Sequence, residues 1–324
     1  MAPTRDMAAI LANPTLYKTA LPPAEHRGDF PWLSHAISAR SSQVFCLSAF
    51  GSLRSMAGRD AVLNGVFAAT LPQTVKAGCD WTVEPEASDP TLLSKLGGSQ
   101  PTSIDALRTS SHAVVKVESK FATDAAHGFG GCSQAGKSCK GYDGQGSDTA
   151  TKSAALCRLE HQDGRRGPRA DWHLGRTWFR PDVFIPQTLG QTCRFDGPNY
   201  QLMRNFLYAA TLAARLGKPQ FGALTIGPRR HAAKLQAQVE TFRQTALQKA
   251  YSDLIAFTDY ETCADLLAAS PQARKRMAAI LAPSWPGGSG LGQGWFGPHF
   301  PVSSATPTSA ACAGSLRSSP LVAR

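Results

Sequence analysis

The chain has 324 residues, 42% hydrophobic and 18% charged, a balance that excludes a disordered polyelectrolyte and suits one large domain or two ordinary ones. No run of eighteen apolar residues occurs, which excludes a helical membrane span. A formal net charge of +11 and a pI of about 9.5 suit polyanionic partners, chiefly nucleic acid, and suit a merely solvated basic surface about equally well. Residues 1–40 mix short apolar stretches with Pro14, Pro22, Pro23 and Pro31, so short helices and loops are predicted there. The opening MAPTRDMAAILANPTLYK lacks an export-type core, so a cytoplasmic location with reduced cysteines is expected. Residues 41–56 place Val44, Leu47, Phe50 and Leu53 at helical spacing, and 81–87 read as a short strand. Residues 103–121 split into two strand-like runs around a Thr-Ser-Ser turn, the pattern of a hairpin. Residues 122–198 hold many glycines, four cysteines and a basic knot, and read as a loop-rich insertion. Residues 199–217 predict a helix ending at Gly217, 221–226 a buried strand, and 229–269 a return to helix. From about residue 284 the chain is rich in Gly, Ser, Pro and Thr, so 1–283 is expected to be the folded domain and 284–324 a flexible tail.

Within the insertion, residues 131–138 read GCSQAGKS and match the phosphate-loop pattern. That loop needs a buried strand before its first glycine and a helix at its lysine, because the helix N-terminus supplies amide donors to the phosphates. Here ATDAAHGFG precedes it and CKGYDGQGSD follows, and neither fits. The run 253–259, DLIAFTD, ends in Asp259 as a magnesium-binding partner strand would, but it continues the helical pattern around it and reads as a packed helix face. A nucleotide hydrolase built on this loop is therefore the weaker functional reading.

The hairpin offers stronger chemistry. Alternate strand residues share a face, so Glu118 and Lys120 point one way and Val117 and Phe121 the other. A turn centred on Ser110 and Ser111 would set Asp105 opposite Lys116 and make Glu118 its diagonal neighbour, about 7–8 Å away. Two carboxylates and a backbone carbonyl suit a hard cation such as magnesium. Such an ion lowers the pKa of a bound water and stabilises charge on a phosphate in flight, and a lysine beside it can do the same for developing negative charge. The plainer reading is a half-exposed strand with an ordinary Glu-Lys pair.

Asp105 followed by Glu118-Ser119-Lys120 at the end of an apolar strand resembles the PD-(D/E)xK nuclease signature. With SSQVFCLSAFG at 41–51, PTSIDALRTSSHAVVKVESKF at 101–121, FGGCSQ at 129–134 and PNYQLMRNFLYAA at 198–210, it resembles a bacterial family of restriction-endonuclease-like proteins over residues 30–230. Pro101 stands four residues before Asp105 rather than adjacent to it, a departure from the signature. The resemblance implies an α/β fold, a mixed central sheet flanked by helices, here carrying the long insertion. It implies a magnesium- or manganese-dependent phosphodiesterase acting on DNA, with Asp105 and Glu118 as metal ligands and Lys120 as catalytic lysine. An upstream acid often completes such sites, and Glu86 is preferred to Glu84. Gln43 from the early helix, and Gln201 and Arg204 from the later one, are candidates to face the site. Single-site homodimers suit cleavage of two strands, and nothing in the sequence indicates a methyltransferase partner. A non-catalytic nucleic-acid-binding protein on a nuclease scaffold is the second reading, opposed by the intact Asp105, Glu118 and Lys120.

Cys132, Cys139, Cys157 and Cys193, with His127, His161 and His173 near them, could hold a structural zinc and order the insertion, although no tight Cys-x-x-Cys pair is present. Lys137, Lys140, Arg165, Arg166 and Arg169 could touch a DNA backbone. Cys46, Cys79 and Cys263 sit in apolar surroundings and read as buried packing residues.

Overall fold

The computed structural model describes residues 7–13, 16, 20, 21, 30–33, 36–38, 41–54, 56, 58–72, 75, 80–89, 91–93, 103–121, 129, 174–183, 195 and 198–267. The readings at Cys79, at most of the 122–198 insertion and at the 284–324 tail lie outside the described residues, and with them the phosphate-loop string and the four cysteines of the zinc reading.

Five strands form one mixed sheet in sequence order: β1 (Thr82–Ser88), β2 (Ser103–Thr109), β3 (Ala113–Ser119), β4 (Gln220–Gly227) and β5 (Ile255–Asp259). β1, β2 and β3 are antiparallel, and β3, β4 and β5 are parallel. The helices are α1 (Met7–Leu11), α2 (Ser42–Cys46), α3 (Arg59–Thr70), α4 (Asn199–Arg215), α5 (Ala232–Thr245) and α6 (Tyr260–Leu267). α2 runs on into a π-helical turn over Leu47–Gly51, so the expected helix at 41–56 is present but changes its winding.

Strand alternation sends side chains to two cores. On one face Leu107, Val114, Phe221, Ala223 and Ile255 pack against Leu202, Met203 and Phe206 of α4 and Leu235, Val239 and Phe242 of α5. On the other, Ala106, Val115, Val117, Leu224 and Ile226 pack against Phe45 and Cys46 of α2, the apolar side of α3, and Tyr260 and Cys263 of α6. The result is a three-layer α/β/α arrangement. Phe206 and Phe221 meet edge to face with centroids 5.4 Å apart, and truncating either to Ala would cost about 3–5 kcal/mol. A third cluster, Ile10, Leu16, Trp32 and Ala36 against Val44 and Leu47, ties the N-terminal segment to α2.

α4 ends where its sequence predicts, with Gly217 in the left-handed region at φ +63°. Gly227 closes β4, and a Cβ there would stand 2.4 Å from Cδ1 of Leu235, so a side chain at this position would force Leu235 of α5 to shift.

Two sequence expectations are corrected. The run before Asp259 is a strand, not a helix face: α5 stops at Thr245, a 3₁₀ turn spans Lys249–Leu254, and β5 pairs with β4 from Ala223↔Ile255 to Gly227↔Asp259. Ile255, Phe257 and Thr258 suit a strand, and the sheet edge supplies the backbone partners a helix would otherwise provide. The hairpin is present, but Ser110 donates to the Ala113 carbonyl at 2.9 Å, so the turn centres on Ser111 and His112. Leu107, not Asp105, therefore pairs with Lys116, and Ala106 pairs with Val117. A shift of two preserves parity, so Asp105, Lys116 and Glu118 still share a face.

Candidate active site

β3 is the middle strand, and its last residues carry the site. Lys116, Glu118 and Lys120 alternate onto the face covered by α4. All three are buried. Lys116 Nζ and Asn205 Nδ2 donate to Oε2 of Glu118, the latter at 3.1 Å. Gln201 Nε2 donates to Oε1 at 2.6 Å, and Lys120 Nζ lies 3.2 Å from the same oxygen. Each carboxylate oxygen thus faces one ammonium and one amide. Lys120 also donates to Oε1 of Gln201 at 3.0 Å, and its Nζ sits 5.5 Å from the centroid of the Phe129 ring.

Continuing the β2–β3 register brings Asp105 level with Glu118. The Ser119 amide donates to its Oδ2 at 2.7 Å, the one hydrogen bond to this carboxylate among the described residues. Burial and then the Glu118 carboxylate push Asp105 up to about 7. Burial pushes Glu118 up as well, but Lys116 and Lys120 outweigh it and hold Glu118 down to about 2. Burial lowers Lys116, against the pull of Glu118 and Asp105. Two carboxyl groups whose proton affinities are driven apart mark a pair close enough to repel.

Glu86 is buried on β1, where Pro85↔Ala106 and Ala87↔Ile104 leave it at the register position of Asp105. Its φ of +52° is a left-handed conformation unusual for a side chain of this kind and interrupts the ladder there. Among the described residues no three of His, Cys, Asp and Glu converge as a ready-made metal cluster. Glu84 is exposed.

The structure brings Asp105, Glu118, Lys120 and Gln201 together. It does not bring Gln43, which donates to the Pro31 carbonyl and accepts from the Leu33 amide, both at 2.8 Å, and so fastens the N-terminal segment. Arg204 turns toward Tyr200, its guanidinium 5.9 Å from that ring. Lys116 and Asn205 join the site without having been picked from the sequence. The signals were available: Lys116 has the strand parity of Glu118, and Asn205 lies four residues from Gln201 on one helix face. Cys46 and Cys263 are buried, as expected, and burial raises both thiols.

Asp259, the residue a phosphate loop would have needed, is engaged elsewhere. It accepts from the amide and hydroxyl of Thr262, each at 2.8 Å, and from Arg229 Nε at 3.1 Å. It is the N-cap of α6.

Comparison with known proteins fits this picture. No curated protein matches the chain, and neither does any solved structure. A family model described as restriction endonuclease associating with ARP (REase-ARP) matches residues 7–282, which include all five strands and every residue of the site. By that match the chain belongs to the REase-ARP family.

Proposed function

We propose that the chain is a metal-dependent DNA endonuclease in which Asp105 and Glu118 hold Mg²⁺ or Mn²⁺ and Lys120 is the catalytic lysine. The observation that carries this reading is the closed contact set of Glu118, Lys120 and Gln201 beside Asp105 at the end of β3. The donor set fits the ion: two buried carboxylates that repel each other offer hard oxygens, and magnesium keeps its remaining positions for water and substrate phosphate. Bound there, the ion would supply an acidified water and a counter-charge for the phosphate.

The chain's own groups do the rest. Lys120, held by Gln201, points an ammonium at the space beside Glu118, where it can orient a water or stabilise charge on a phosphate oxygen. Gln201 keeps that lysine from collapsing wholly onto the carboxylate by accepting a hydrogen bond from it. The net charge of +11 draws a polyanion toward the protein. Family membership supports the nuclease class.

Incubation of supercoiled plasmid DNA with Mg²⁺ or Mn²⁺ tests the reading, with wild type and Asp105→Ala in parallel. Cleavage by wild type that EDTA and the substitution both abolish is the expected result. Equal cleavage by both proteins would sink the assignment of Asp105.

A further inference from the structure

We propose that Lys116 is a resident counter-ion of Glu118, which a divalent cation must displace or share with, so that Lys116 sets the metal affinity of the site. The inference rests on the reading of Asp105 and Glu118 as the metal-holding pair. Lys120 alone would suffice as the lysine of such a site. Here a second ammonium, Lys116 Nζ, hydrogen-bonds Oε2 of the same carboxylate.

Its position is fixed by the sheet. Lys116 lies two residues before Glu118 on the same strand, its backbone paired with Leu107 on one side and Ala223 on the other. Its side chain is wholly enclosed. Oε1 is already shared between Gln201 and Lys120, and Oε2 between Asn205 and Lys116. Neither oxygen of the Glu118 carboxylate is left without a cation. Metal binding is then an exchange of cations rather than an addition of one. An ammonium held roughly 5 Å from a dication would weaken its binding by about tenfold even at the permittivity of water.

Calorimetric titration of Mn²⁺ into the chelator-stripped full chain reads this directly, with no need for cleavage. Lys116→Met, and Lys116→Gln should the first variant not fold, are expected to bind Mn²⁺ on the order of tenfold more tightly than wild type. Lys116→Arg, which keeps the cation, is expected to match wild type or bind more weakly. Affinity in Lys116→Met and Lys116→Gln equal to or below wild type overturns the proposal. Asp105→Asn in the same titration separates the two readings. Its loss of Mn²⁺ binding, with Lys116→Met unchanged, defeats the counter-ion role alone. Unchanged Mn²⁺ binding in Asp105→Asn defeats the metal pair, and the role of Lys116 with it.

Discussion

The carboxamide oxygen of Gln201 accepts a hydrogen bond from the ammonium of Lys120 at 3.0 Å, across 81 positions of sequence. The contact joins the end of β3 to the first turn of α4. It gives the lysine a neutral partner besides Glu118.

That contact predicts the effect of Gln201→Ala. Lys120 loses its acceptor and Glu118 a donor, so the lysine moves toward the carboxylate. Cleavage is expected to fall roughly 10- to 100-fold, the usual cost of a misplaced group. DNA affinity measured in EDTA should stay within about twofold, because the residue carries no charge for phosphates to meet. Single-turnover cleavage and a filter-binding titration on the same protein check both halves.

Glu118→Ala leaves the enclosed Lys116 without its counter-charge. Loss of one partner from a buried pair costs about 3–5 kcal/mol, and urea unfolding should show it. Pairing Glu118→Leu with Lys116→Met should recover at least half of that loss, since apolar groups can replace a buried ion pair. A single substitution costing under about 1 kcal/mol would show that Lys116 is not held as an ion.

Asp105→Asn is expected to trade stability against function. It removes one of two repelling carboxylates from a buried site while keeping an oxygen for the Ser119 amide. In EDTA at pH 8 the variant should be about 1–2 kcal/mol more stable than wild type, and inactive with Mg²⁺. A less stable variant would mean that the repulsion is already relieved within the chain.

The α6 cap gives a pH signature. Burial raises Asp259, but its bonds from Thr262 and Arg229 outweigh this and hold it below its ordinary 3.8. A carboxyl lowered by folding stabilises the chain above its unfolded pKa and ceases to do so as the pH falls through its folded value. Asp259→Ala should therefore cost about 1 kcal/mol at pH 7. The difference between variant and wild type should shrink as the pH drops below 3.8, seen in unfolding midpoints.

Much of the site was legible because strand alternation is local. Glu118 and Lys120 share a face in any register, and a two-residue slip of the hairpin leaves the face unchanged. The slip itself could not be read, since Ser110, Ser111 and His112 offer no glycine to pin the turn, and the Ser110 hydroxyl decides it by accepting from His112 and Ala113. β5 was misread because its run continues a helical periodicity, and only the edge of β4 makes it a strand. Helix α3, whose Val62, Leu63, Val66 and Phe67 line the second core, received no prediction at all. The burial of Lys116 depends on α4, 83 or more positions later in the chain, and so could not be read from the strand alone.

β3 is bordered on both sides, antiparallel by β2 and parallel by β4. Its amides should therefore exchange with deuterium only when the whole domain opens, while the cap of α6 and the turn at Ser111 open by themselves. The candidate site thus rides on the part of the molecule expected to yield last. Under the proposed nuclease reading, surrounding segments can be lengthened, shortened or replaced to change the target while the site on β3 stays in place.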